Sequence, residues 1–316
     1  MVGGLPIQFD SINDLCIPYE SLDWAGGEKD RARVAGGAMG EVFCAEFQGQ
    51  DVAVKEMKEL VKIGVPGGNP ADEGGSMDEE MLKDFRAEVE LLASCRCPNV
   101  VLFVGYCFER AAIDTTSYRL AVVTEYMARG SLWDNLHKRR VRLPYSRRMR
   151  MLLDVVKGMQ YLRHKKIVHC DLKTPNLLVD RQFLVKVADF GLARLHKDSL
   201  AAQLKGEYGT PMWMAPEVLM NESFTFKADV YSFGVVVWEV ITGKVPWKGC
   251  VHVQQPAHNI QFDDNAGCDW ISEPFSTLCV CACFAAGCSR LRSSAASRSM
   301  ACGCRSPRIR SPGCQS

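Results

Sequence analysis

The chain reads as an α+β protein of two lobes, a small antiparallel β lobe with one helix followed by a mainly helical lobe. Three observations predict this. Four β-rich runs, EVFCAEF, QDVAVKEM, VVLFVGYCF and YRLAVVTEYM, are complete by Met127. One stretch of helical periodicity interrupts them, and after Arg129 the pattern turns helical without internal repeats.

Within the first lobe, MLKDFRAEVELLAS puts Leu82, Phe85, Val89 and Leu92 at helical spacing. Ser76, with Glu79 three residues on, makes a capping box at its start. The preceding IGVPGGNPADEGG is rich in Gly, Pro and acid and reads as a solvated loop. In the second lobe RRMRMLLDVVKGMQYLRH is expected to place Met149, Leu152, Leu153, Val156, Met159 and Tyr161 along one apolar face. ADVYSFGVVVWEVIT is apolar nearly all round, as a buried helix is.

The 316 residues are 47% hydrophobic and 24% charged, enough to build a sizeable core, and the net charge of +1 provides no broad field for nucleic acid or anionic membrane. No apolar run is long enough to span a bilayer, no secretory leader opens the chain, and Val2 excludes N-myristoylation. The expected setting is cytoplasmic, with membrane association left to partners. Of 15 cysteines, six precede Trp247 as scattered single residues, which fits reduced, buried thiols. The other nine follow it in CVCAC- and CGC-type spacings that do not suit a zinc ribbon, so a metal-binding regulatory protein built on them has little support.

Four motifs carry chemistry. VAGGAMGEV, Val34 to Val42, is a Gly-rich hairpin of the kind that brings backbone N–H groups up to phosphates. Lys55 ends an apolar Val-Ala-Val run fifteen residues after Gly40. HCDLKTPN brings Asp171, Lys173 and Asn176 close in sequence, and DFG begins eighteen positions after Asp171 with Asp189, a hard carboxylate suited to Mg²⁺.

Taken in order, these motifs resemble the eukaryotic protein kinase family, most closely its tyrosine-kinase-like serine/threonine branch, over about Tyr19 to Trp247. The resemblance implies a two-lobed protein kinase fold using ATP and Mg²⁺ to phosphorylate Ser or Thr hydroxyls of protein substrates in signalling. Residues 1–18 would be an N-terminal extension, 19–124 the N-lobe, 125–130 the hinge and 131–247 a C-lobe incomplete at its C-terminal end. It implies catalytic roles for Asp171 as the base that orients the acceptor hydroxyl, for Lys173, and for the pair Lys55 and Glu88. Ala35, Gly37, Gly40, Val42, Ala53, Lys55, Thr124, Glu125, Met127 and Leu178 would surround ATP, with Thr124 as gatekeeper. Asn176 and Asp189 would hold the metal. Leu92, Phe103, His169 and Phe190 fall at the positions of the family's regulatory spine, and Asp229 at the carboxylate that braces the catalytic loop.

Two departures matter. Ala35 stands where the first glycine of the Gly-rich loop is usual. Cys170 replaces the Arg that in many family members receives an activation-loop phosphate, which marks a non-RD kinase controlled by other means. The alternative from another class is a pseudokinase, a binding or scaffolding module on the same fold. Beyond Trp247 the family's Arg-Pro segment, whose Arg would pair with Glu217, is absent. Residues 248–316 are expected to be a gene-model artefact, a truncated isoform or a targeting tail, in that order, and disordered by composition.

Overall fold

Strand periodicity and a handful of caps account for the architecture that positions the site. The computed structural model describes residues 12–27, 31–36, 40–62, 76–111, 117–190, 193–195, 211–219, 225–247, 251–254 and 259–262. The first lobe is a sheet of Asp23–Trp24 (β1), Arg33–Gly36 (β2), Gly40–Phe47 (β3), Gln50–Met57 (β4), Val61–Lys62 (β5), Phe103–Arg110 (β6) and Ser117–Glu125 (β7), all paired antiparallel. Side chains alternate between faces of a strand. Val52 and Val54 therefore turn to one face and are buried, while Ala53 and Lys55 turn to the other.

The outer face is covered by the chain's own beginning. Ile17, Tyr19, Leu22 and Trp24 are buried there with Val52, Val54, Ala121 and Val123. The N–H of Ile17 donates to the carbonyl of Tyr106 at 2.8 Å, and Cys16 bridges Tyr106 in parallel. Gly105 admits this strap, because a Cβ there would lie 2.5 Å from the carbonyl oxygen of Leu15. Ile12 joins the main buried core, so residues assigned from sequence to an extension pack as part of the lobe.

Ser76–Ser94 (α1) contributes Phe85, Val89 and Leu92 to that core, the spacing expected of it, with Leu82 partly buried against it. Burying each side chain of this size is worth about 1.5–3 kcal/mol, which fixes the helix's rotation about its axis. The side chain of Ser76 and the loop before it lie outside the described residues.

In the second lobe Tyr145–His164 (α2) buries Met151, Leu152, Val155, Gly158 and Leu162. The expected face was misjudged at Leu153, which is 57% exposed. Apolar residues occupy more than half the helix circumference, so periodicity alone could not choose the packed side. Ile167–Val168 (β8), Leu177–Val179 (β9), Val185–Val187 (β10) and Arg194–Leu195 (β11) form two short antiparallel pairs. Pro216–Leu219 (α3) leads towards Phe226–Thr242 (α4).

α4 is the lobe's central element. Thr225 caps its start by accepting from the N–H of Lys227, and Gly243 ends it in the left-handed conformation at φ 68°. The guanidinium of Arg148 donates to the carbonyls of Val240 and Ile241 at 2.9 and 2.7 Å, satisfying acceptors that the helix end leaves open. It buries Ala228, Asp229, Ser232, Val235, Val236, Trp238, Glu239 and Val240, while Phe226, Tyr231, Phe233, Val237 and Ile241 are half-buried and Val230 is exposed, so burial is less complete than the apolar sequence suggests. Beyond Trp247 the structure departs from a stretch disordered throughout: Val251–Gln254 (β12) pairs antiparallel with Asn259–Phe262 (β13). Reading that stretch by bulk composition hid the alternation of VHVQ and NIQF.

Candidate active site

The sheet register gathers one set of side chains on one face. In an antiparallel ladder directly opposed residues share a face, and the pairs Ala35 with Val42, Val42 with Lys55, Cys44 with Ala53 and Ala53 with Thr124 place Ala35, Val42, Ala53, Lys55 and Thr124 together. Gly40 begins β3 and needs no side chain, since a Cβ would come 2.3 Å from the carbonyl oxygen of Glu56. This strand-to-strand approach is a second reason for glycine beside the phosphate-loop one. Gly37 and Gly191 lie outside the described residues.

Lys55 is the centre of the ionic geometry. Its ammonium donates to Glu88 at 2.9 Å and to Asp189 at 2.8 Å. Glu88 arrives because Phe85 and Val89 lock α1 into the core and leave the neighbouring position facing the sheet. Burial alone would push the Lys55 ammonium down, but the two carboxylates beside it hold it above its ordinary value. For Asp189, burial works upward and is outweighed by the Lys55 ammonium, which leaves the carboxyl below its usual range. Asp189 adopts φ 64°, a left-handed conformation Asp tolerates better than most residues.

A second cluster lies on the loop after β8. Asp171 meets the ammonium of Lys173 at 2.7 Å and accepts from the side-chain amide of Asn176 at 2.9 Å. Asn176 also donates to the Asp171 carbonyl, so its amide nitrogen is fully used and its amide oxygen points elsewhere. His169 is fully buried, donates through Nε2 to the carbonyl of Ala188 at 3.1 Å and accepts through Nδ1 from the N–H of Asp171 at 3.3 Å. Its ring packs on Phe190 at 5.5 Å. Asp229, buried at the start of α4, accepts from the N–H groups of His169 and Cys170 at 2.9 and 3.0 Å. Burial pushes its carboxyl upward against these two donors, which favour the ionised form.

Cys170 lies in a small apolar cluster with Val168, Ala215, Val218 and Ala228, and its backbone is held at φ 67°. It packs as a small hydrophobe at the position where an anion-binding Arg had been the point of comparison. Nearby on β10, Lys186 is paired to both carboxylate oxygens of Glu125 at 2.7 Å. The side chain of Arg194 and the stretch 196–210 lie outside the described residues. Glu217 is half-buried and has no ion-pair partner among the described residues.

Between the lobes, Thr124 and Glu125 end β7, and Leu178 faces the crossing chain through a bridge to Ser131. The Glu125 N–H is taken by the carbonyl of Leu102 at 3.0 Å. The Met127 carbonyl accepts from Gly130, whereas its N–H meets no acceptor among the described residues. The residue that motif reading passed over is Glu239 of α4, fully buried and bonded to His137, Thr174 and Trp213. Its signal was an acid inside an otherwise apolar helix.

Asn176 and Asp189 offer an amide oxygen and a carboxylate, which suits Mg²⁺ bound partly by protein and partly by phosphate and water oxygens. No larger cluster of metal-type ligands occurs among the described residues. No helix among the described residues is long and apolar enough to cross a membrane.

A family model described as protein tyrosine and serine/threonine kinase matches residues 29–268. Serine/threonine-protein kinase CTR1 of Arabidopsis thaliana is 44% identical over 74% of this chain and 26% of its own length. Serine/threonine-protein kinase STY17 of the same plant is 38% identical over 74% of this chain and 37% of its own. Probable serine/threonine-protein kinase drkB of Dictyostelium discoideum is 38% identical over 69% of this chain and 28% of its own. The chain thus spans between about a quarter and two fifths of these relatives. With the ion-paired lysine, the catalytic-loop cluster and the family match all in one domain, the chain belongs to the protein tyrosine and serine/threonine kinase family, among its tyrosine-kinase-like serine/threonine members.

Proposed function

We propose that the chain transfers the γ-phosphoryl group of Mg-ATP to Ser or Thr hydroxyls of protein substrates. The observation that carries the proposal is the bridge of Lys55 to both Glu88 and Asp189, which aligns α1, the sheet and the DFG aspartate in one ionic unit. Lys55 would bind the inner phosphates of ATP, with Glu88 keeping its ammonium in place. Ala35, Gly37 and Gly40 would line the phosphate loop, Val42, Ala53 and Leu178 would enclose the adenine, and Glu125 and Met127 would meet its polar edge beside Thr124. The Met127 N–H, which meets no acceptor among the described residues, is the donor such an edge requires.

Asp171 would accept the hydrogen bond of the acceptor hydroxyl and orient its oxygen for in-line attack. Lys173, now on the Asp171 carboxylate, would turn to the transferring phosphoryl as negative charge builds there. Mg²⁺ held by Asn176 and Asp189 would supply electrostatic neutralisation of the phosphates. The binding-module alternative has only Ala35 in its favour among the described residues, and a methyl group on an exposed strand is a small obstacle.

Incubation with Mg-ATP and a general basic protein acceptor should label serine and threonine, and Asp171→Asn should lower the rate by at least about a hundredfold. Equal labelling by both proteins, or nucleotide binding with no transfer by either, would reject the reading.

A further inference from the structure

We propose that Glu239 is a positioning residue for phosphoryl transfer, holding the catalytic loop in register with the segment that precedes α3. The inference deepens the kinase reading and rests on it. Glu239 has no exposed surface, yet it sits on the most apolar helix of the chain, where a carboxylate without partners would be costly. Its partners come from three separate elements. The Thr174 hydroxyl donates to Oε1 at 2.7 Å, the Trp213 indole N–H donates to Oε2 at 3.0 Å, and His137 Nε2 lies 2.8 Å from Oε1.

Each partner is tied to something that matters for transfer. Thr174 follows Lys173 and opens the single turn Thr174–Asn176, in which the Asn176 N–H donates to the Lys173 carbonyl at 3.0 Å. Fixing Thr174 therefore fixes the turn joining the residues that hold Asp171 at 2.7 and 2.9 Å. Trp213 lies ahead of α3, is nearly buried, and is gripped twice by α4, since its carbonyl accepts from the Ser232 hydroxyl at 2.7 Å. His137 belongs to the wide turn Asp134–Lys138 and meets Trp133 at a tilt of 52° with ring centroids 4.2 Å apart, and the Trp133 ring meets Trp213 edge-on at 5.8 Å.

The ionised carboxylate accepts from all three donors at once when His137 carries its proton on Nε2. Burial pushes the Glu239 carboxyl up to about 7, with Thr174 and Trp213 pulling the other way. Burial also pushes the His137 imidazole down, in keeping with a neutral ring that donates.

The test compares Glu239→Leu, Glu239→Gln, Thr174→Val and Thr174→Ser in the full chain. Thr174→Val and Glu239→Leu should each lower kcat at least about tenfold while leaving KM for ATP within about twofold, because neither residue reaches the nucleotide. Thr174→Ser, which keeps the hydroxyl donor, should hold kcat within about threefold of the parent, whereas Glu239→Gln keeps an acceptor for Thr174 but turns an amide N–H towards the Trp213 indole N–H and should fall between the parent and Glu239→Leu. The Glu239→Leu, Thr174→Val double variant should lose little more than either alone. Hydrogen exchange provides an arm independent of activity: Glu239→Leu should speed exchange in segments 169–176 and 211–219 and leave that of α2 unchanged. An inactive parent with this exchange pattern would reject the kinase reading, and with it the role in transfer, while showing that Glu239 still braces the two segments. Unchanged exchange in both segments, or a loss of kcat in Thr174→Ser as large as that in Thr174→Val, would overturn the proposal.

Discussion

Lys55 and Glu239 illustrate two opposite ways of burying a charge. Lys55 is compensated by two carboxylates and so stays charged. Glu239 is met by neutral donors, which soften the cost of ionising it without removing it. Its folded carboxyl at about 7 stands above the ordinary 4.5 of an unfolded chain, so between these values the folded state holds a proton that the unfolded state has released. Stability should accordingly fall as pH rises from about 4.5 through 7 and level off above, a contribution of up to about 3 kcal/mol at roughly 1.4 kcal/mol per unit. Urea midpoints measured from pH 5 to 8 should drop more steeply for the parent than for Glu239→Gln, which has no proton to lose. Parallel curves would contradict this. Lys55, Asp171, Asn176 and Asp189 stand out in the sequence by residue type, and the structure brings Lys55 to Asp189 and Asn176 to Asp171. Cys170 was legible in its burial but not in its φ of 67°, and Glu239 was illegible because its partners lie 26 to 102 positions away.

Among the elements, the strands came through most clearly, because alternation and β-branched residues agree in β3, β4 and β7. The face of α2 did not, since Leu153 satisfies the helical period while pointing to solvent. The strap before β1 escaped notice for another reason: it has hardly any regular structure, and its Ile12, Ile17 and Tyr19 acquire meaning only when docked. That docking reaches towards the site. Tyr106 accepts from Ile17 and meets Phe85 of α1 edge-on at 6.4 Å, three residues before Glu88. Gly105→Val should lift the strap, because its side chain would enter space held by the Leu15 carbonyl and the Ile17 side chain, at a cost of about 1–3 kcal/mol. Limited proteolysis should then cut within residues 12–24 faster than in the parent, and phosphotransfer should fall as α1 loosens. An unaltered cleavage rate would show that the strap tolerates a Cβ there.

For the molecule as a whole, the two-lobed architecture was predictable from the order of patterns, whereas the means of holding the site together was not. Several contacts that brace it run through α4. Asp229 near its start takes the N–H groups of His169 and Cys170, and Glu239 near its end takes the hydroxyl of Thr174. Asp171 and Lys173, the residues proposed to act in transfer, lie between these two attachments in sequence. Ten helical residues separate the attachments on α4, about 15 Å at 1.5 Å per residue. The helix thus acts as a ruler against which the loop is measured, and a ruler can be cut. Removing Val237 would draw Glu239 about 1.5 Å towards Asp229 and swing it by about 100° around the axis, so that both carboxylates could no longer meet their loop donors. Such a deletion should abolish transfer even in whatever fraction still binds nucleotide, while Val237→Ala, which preserves the length, should retain most of the activity. Full activity in the shortened protein would mean that the loop keeps its own shape without that gauge.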